Sequence, residues 1–144
     1  MAEIAAAGNE LLRVDRVEVD AAKADGRPSY TVETLKALGR RDRHDELVLL
    51  MGADVAAHLE EWHEPERVVE LARVGIAARP GSDLDEAQAA LERLGAADRA
   101  ELIRMPLIDV SSTRIRRRVA DGLPVRYLVP DGVLELIEAG GLYS

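Results

Sequence analysis

The run Leu47-Val48-Leu49-Leu50-Met51 constrains the fold more than any other stretch of this chain. It is unbroken, apolar and bounded by Glu46 and Gly52. Such a run suits a strand buried on both faces, as in the interior of a parallel α/β sheet. Gly52-Ala53-Asp54 follows at once, and Val55 to Glu61 reads as helix. Gly-Ala-Asp thus stands where a strand ends and a helix begins, the edge at which open α/β sheets bind ligands. Gly52 would let a ligand approach the backbone closely. Asp54 either accepts hydrogen bonds from a ribose or caps the next helix. Trp62, the only tryptophan, lies one short helix further on. A plainer reading makes the three a tight turn, an N-cap and a core aromatic, and spacing alone does not choose.

A chain of 144 residues fits one domain. Apolar residues make up 47% of it, but aromatics only 3%, so the core must be Leu, Val, Ile and Ala. The absence of cysteine excludes disulfides, thiol catalysis and cysteine–metal sites. A formal charge of −8 argues against a general binder of nucleic acid or anionic membranes. No apolar stretch is long enough to span a bilayer, and the first ten residues lack the pattern of a secretory signal. A soluble, cytoplasmic protein is expected.

The rest of the chain alternates in the same manner. Ala2 to Ala7 reads as a helix end stopped at Gly8-Asn9. Leu12 to Asp20 alternates like a strand with a bulge near Asp15-Arg16, and Ala21 to Arg27 reads as a polar loop. Pro28-Ser29-Tyr30-Thr31 opens a helix with Val32, Leu35 and Leu38 on its apolar face and Gly39 as its end. Ser29 or Thr31 either caps that helix or joins its free N–H groups in holding an anion. Pro65 starts a further helix, Val74 to Ala78 is a buried strand, and Arg79-Pro80-Gly81 breaks it. Ser82-Asp83-Leu84-Asp85 resembles a capping box, followed by an apolar helical face at Leu84, Ala87, Leu91 and Leu94. Leu102 to Met105 is the next strand candidate, and Pro130-Asp131 starts a last helix that Gly140-Gly141 ends.

Ser111-Ser112-Thr113-Arg114-Ile115-Arg116-Arg117-Arg118 starts a helix that Gly122 ends, and makes a local positive pole on an acidic chain. Hydroxyls, free N–H groups and guanidinium forks suit a polyphosphate, whereas a solvated basic helix face is the plainer alternative. His44, His58 and His63 show no metal-ligand spacing, and neither G-x-G-x-x-G nor a Walker A motif occurs.

Taken in order, Pro28-Ser29-Tyr30-Thr31, Gly52-Ala53-Asp54 with Trp62, Arg79-Pro80-Gly81 and Val110-Ser111-Ser112-Thr113-Arg114-Ile115-Arg116 resemble the nicotinate mononucleotide adenylyltransferases. Tyr127 to Val133 and Leu142-Tyr143 are similar to the end of those enzymes. The family belongs to the nucleotidylyltransferase superfamily. The resemblance implies an α/β, Rossmann-like parallel sheet with flanking helices. It implies that Ser29, Tyr30, Thr31 and Val32 meet the nicotinate mononucleotide, with Trp62 stacked on the pyridine ring. It places Gly52 and Asp54 at the adenosine ribose, Arg79 near the nucleotide, and Ser111, Ser112, Thr113 and Arg116 on the ATP phosphates. Mg²⁺ would accompany ATP as substrate.

The same family opens with a strand, a G-G-T-F-D-P turn and an H-x-G-H motif whose histidines stabilise the transferring phosphate. None of these occurs in the 144 residues. The expectation is therefore a single nucleotidylyltransferase-type domain over 1–144, truncated at its N-terminus and lacking its first strands, with no catalytic residue of its own. Its expected function is that of a nicotinate-nucleotide adenylyltransferase, inactive as this chain alone. Alternatives are a non-catalytic nucleotide-binding remnant and an adenylyltransferase for another phosphate ester. ATP and nicotinate mononucleotide are the expected partners, without nucleic acid or membrane, and self-association into a homo-oligomer is an open option.

Overall fold

Three strands, β1 (Val48–Gly52), β2 (Arg73–Ala78) and β3 (Ala100–Arg104), form a parallel sheet in the order β1-β2-β3. The computed structural model describes residues 1–26, 28–41, 45–78, 84–106 and 108–143. They divide into two compact units, Met1–Asp15 with Ile108–Ser144, and Arg16–Leu107.

The sheet belongs to the second unit, with helices α2 (Val17–Asp25), α3 (Thr31–Arg41), α4 (Ala53–Ala56), α5 (Pro65–Leu71) and α6 (Asp85–Arg93). Consecutive parallel strands that are also neighbours need crossovers, and these are right-handed as a rule, so successive crossover helices fall on one face. The core agrees with that. Met51, Val74 and Ile76 pack with Val32 and Leu35 of α3, Ala53 and Ala56 of α4, Val68 and Val69 of α5, and Ala87 and Leu91 of α6. Pro65 stands at the first helical position of α5, where its missing N–H costs nothing.

The opposite sheet face is different. Val48 is 47% exposed and Leu50 65% exposed, and Leu50 lies across from Gly75. The central run is therefore not buried on both faces as its apolarity predicts. Among the described residues β1 pairs only with β2, so it is an edge strand. Its composition is that of an interior strand, with no charge or proline to guard the edge.

A second correction concerns Leu12 to Asp20. This stretch forms no strand; residues 12–16 are irregular and α2 begins at Val17. Alternation prepares a strand, but a strand needs a partner ladder, and no described strand lies beyond β1. Leu12 is 57% exposed. The predicted loop from Ala21 is instead helical to Asp25, where Gly26 ends α2 at φ 64°. Gly39 does not end α3, which runs on to Arg41. The helix expected from Val55 to Glu61 breaks into α4 and a 3₁₀ turn, Leu59–Glu61. The strand expected at Leu102 to Met105 starts two residues earlier, at Ala100. Ser82 and Asp83 of the expected capping box lie outside the described residues.

The first unit holds α1 (Ala2–Ala6), α7 (Ser112–Ala120) and α8 (Asp131–Ala139). Ile115, Val125 and Leu134 form its core, with Val119 and Val129 packed against them. Gly122, at φ 68°, stops α7 as expected. The Gly122 N–H donates to the Val119 carbonyl at 3.0 Å and the Leu123 N–H to the Arg118 carbonyl at 2.8 Å, the two bonds of a Schellman stop. Among the described residues no helix is long and apolar enough to cross a membrane.

Candidate functional site

Gly52 closes β1 and is also the N-cap of α4. Its φ of −73° and ψ of 158° are open to any residue, so the glycine is not there for backbone freedom. A β-carbon at this position would stand 2.5 Å from Oδ1 of Asp54, so a larger residue would turn that carboxylate aside. Asp54 does not cap α4 with its side chain. Its exposed carboxylate folds back over Gly52 at the carboxyl end of the strand.

The second set of residues lies where α3 and α5 begin. The Tyr30 carbonyl accepts the first bonds of α3, from Glu33 N–H at 3.0 Å and Thr34 N–H at 3.3 Å. Ser29 and Tyr30 are exposed, Thr31 is half-buried and Val32 is buried in the core. Trp62 follows the 3₁₀ turn and packs partly buried against the same core as Val32. Part of Trp62 thus packs as a core aromatic and the rest stays at the surface.

His63, next to Trp62, was not singled out by spacing. Its ring stacks on that of Tyr30 with centroids 4.2 Å apart and planes 29° from parallel. Glu64 follows in the left-handed region at φ 51°, and its carboxylate lies 3.4 Å from Lys36 Nζ, which also holds Glu33 at 2.8 Å. Hydrogen bonding to Lys36 is the largest cause holding the Glu33 carboxyl below its ordinary range, opposed by some desolvation and aided by the charges of Lys36, Arg40 and His63. The only sequence signal for His63 was adjacency to the single tryptophan.

The third set stands in the other unit, at the start of α7. Ser111 caps the helix, its Oγ accepting from Arg114 N–H at 3.2 Å. The four arginines then separate by partner. Arg114 pairs with Asp109, and its Nη1 also donates to the Asp109 carbonyl at 3.0 Å. Arg117 lies 3.8 Å from Asp121. Arg118 donates twice to the Pro124 carbonyl, at 3.2 and 2.9 Å, and so closes the turn after α7. Arg116 has only Thr113 Oγ1 at 3.4 Å. Among the described residues it is the arginine of this helix without a carboxylate or carbonyl partner. Ser111, Ser112 and Arg116 border a cavity of about 340 Å³ whose floor includes Ile115, Val133 and Ile137.

Chemically, exposed hydroxyls, the N–H groups of a nine-residue helix start and one uncommitted guanidinium are donors of the kind that suit phosphate oxygens. Among the described residues no three His, Asp or Glu side chains gather as a metal site. Arg79 lies outside the described residues.

No protein-family model matches the chain. Among curated proteins it is 42% identical to the probable nicotinate-nucleotide adenylyltransferase of Rubrobacter xylanophilus, over 96% of this chain and 63% of the relative. It is 44% identical to the protein of that name in Thermomicrobium roseum, over 99% of this chain and 65% of the relative. The one from Roseiflexus castenholzii is 43% identical over 99% of this chain and 69% of its own length. The chain belongs to the nicotinate-nucleotide adenylyltransferase family.

The matches cover nearly all of this chain, but the chain spans under two thirds of the Rubrobacter and Thermomicrobium relatives. Among solved structures, it is similar to Plasmodium falciparum nicotinic acid mononucleotide adenylyltransferase complexed with APC. That likeness has a TM-score of 0.62 at 18% identity, over 81% of this chain and 59% of the other, and speaks for the fold. The parallel sheet with flanking helices agrees with the Rossmann-like α/β fold that the resemblance implies.

Proposed function

We propose that this chain carries the nucleotide-binding part of a nicotinate-nucleotide adenylyltransferase, which joins ATP and nicotinate mononucleotide into deamido-NAD and pyrophosphate. The observation that carries the proposal is the uncommitted Arg116 beside Ser111 and Ser112 at the start of α7, in a chain 42% and 44% identical to two members of that family. An oxygen of the mononucleotide phosphate attacks the α-phosphorus of ATP in line. The bond from that phosphorus to the oxygen bridging the β-phosphate breaks, and pyrophosphate leaves with the electron pair. Such a reaction needs positioning and charge neutralisation rather than a covalent nucleophile.

Each residue has a part in that reading. Ser111, Ser112, Thr113 and Arg116 hold the ATP phosphates, and Arg79 lies near the nucleotide. Gly52 leaves room at the adenosine ribose and Asp54 accepts from its hydroxyls. The N–H groups around Thr31, with Ser29, Tyr30 and Val32, meet the pyridine carboxylate, and Trp62 offers its ring face. Hydroxyl, N–H and guanidinium donors suit phosphate oxygens, so Mg²⁺ enters bound to ATP as substrate. The proposal treats residues 1–144 as part of one cytoplasmic nucleotidylyltransferase-type domain whose first strands are not among them, free of nucleic acid and membrane.

A second reading is a nucleotide-binding chain without turnover. It is favoured by the absence of H-x-G-H from the 144 residues and by the apolar edge strand β1. One experiment separates the two. Pyrophosphate release is assayed with ATP, Mg²⁺ and nicotinate mononucleotide, first with residues 1–144. It is then assayed with the same residues joined to the part of the Roseiflexus castenholzii relative that they do not match. Turnover by the joined chain alone supports the proposal. Turnover by neither supports the second reading.

A further inference from the structure

We propose that His63 is a positioning residue for the pyridine ring of the mononucleotide, acting through its stack on Tyr30. The inference rests on the pocket reading above and adds to it a residue that spacing passed over. Tyr30 precedes α3 and His63 follows Trp62, so the ring pair ties together the two segments that carry the proposed pyridine contacts. Neither ring is there to fill a core: Tyr30 is 44% exposed and the His63 side chain 49% exposed. Two half-exposed rings held 4.2 Å apart form a surface platform beside Trp62, not a packing unit.

The surroundings hold His63 in place from both sides. Its Nε2 lies 3.4 Å from Oε1 of Glu64, and the other Glu64 oxygen reaches Lys36 of α3 at 3.4 Å. Lys36 in turn holds Glu33. The left-handed backbone at Glu64 sets the direction from which the chain enters α5. His63 is therefore pinned by its neighbour, by its ring partner and, through Lys36, by the helix that follows Tyr30. Without the stack, the Tyr30 ring loses its partner on the Trp62 segment, although Val32 and Trp62 stay packed on one core. The pyridine ring then meets a Tyr30 side chain that is free to turn.

The test is calorimetric titration of residues 1–144 and four variants, His63→Ala, His63→Phe, Tyr30→Leu and the double variant His63→Ala with Tyr30→Leu, with nicotinate mononucleotide and, separately, with ATP and Mg²⁺. His63→Ala should weaken the mononucleotide by roughly 2- to 10-fold, the scale of one aromatic pair. ATP affinity should stay within about twofold, because the proposed phosphate groups lie on other elements. His63→Phe, which keeps a flat ring, should restore binding. Tyr30→Leu should weaken it as His63→Ala does, and the double variant little further. Equal binding by His63→Ala and the unaltered chain would overturn the inference while leaving the pocket intact. Equal weakness of the alanine and phenylalanine variants would also overturn it. No mononucleotide binding by the unaltered chain would remove both the pocket reading and this inference.

Discussion

Asp54 sets its carboxylate oxygen 2.5 Å from where a β-carbon on Gly52 would stand. Gly52→Ala therefore forces the carboxylate aside, a small movement of a short exposed side chain. The backbone there suits alanine, so stability should change by less than about 1 kcal/mol. ATP binding should weaken by about tenfold if Asp54 accepts from the ribose. Thermal unfolding and ATP titration of the variant measure both, and a variant that loses stability but not affinity would reassign Gly52 to the fold.

The arginines of α7 predict opposite phenotypes. Arg116→Ala should weaken ATP by about 10- to 150-fold, the range expected for charge-assisted hydrogen bonds, with little change in melting temperature. Arg118→Ala removes both bonds to the Pro124 carbonyl and should cost about 1 kcal/mol of stability with affinity kept. Equilibrium dialysis with ATP, alongside urea unfolding, distinguishes the pair.

That contrast marks where sequence reading stops. Four arginines on one helix are visible as a positive pole, but their partners are not. Asp109, Asp121 and the Pro124 carbonyl come into reach only once α7 and the turn after it are built. The parallel sheet, the helix starts at Pro65 and Ser111 and the stop at Gly122 were legible because each rests on local chemistry. The strand from Leu12 was not a sound inference, because pairing depends on a neighbour that no local pattern supplies. His63 was missed because its partner stands 33 positions earlier.

Edge exposure of β1 bears on solution behaviour. Leu50 and Val48 present apolar surface beside a strand edge that is unpaired among the described residues, a template for pairing with another copy. The apparent mass of residues 1–144 in sedimentation should rise with concentration. Leu50→Lys places a charge on that strand and should hold the chain at monomer mass.

Arg93 grips Glu60 from α6 with three donor contacts of 2.9, 2.8 and 2.5 Å. Hydrogen bonding to Arg93 is the main cause that lowers the Glu60 carboxyl from its ordinary 4.5, with desolvation opposing and the arginine charge assisting. A carboxyl lowered on folding stabilises the fold above its unfolded value, and that contribution is lost as pH falls through the folded value. Glu60→Gln should therefore melt below the unaltered chain at neutral pH. The gap should narrow as pH drops beneath about 4.5, as followed by circular dichroism across that range.

Trp62 is the only indole of the chain and stands in the proposed pyridine pocket, so its fluorescence reports the central claim directly. Residues 1–144 are titrated with nicotinate mononucleotide and, in parallel, with nicotinamide mononucleotide. A ring bearing a carboxylate should quench Trp62 at lower concentration than one bearing a neutral amide, because the N–H groups at the start of α3 favour negative charge. Equal midpoints for the two mononucleotides, or no quenching by either, would contradict it.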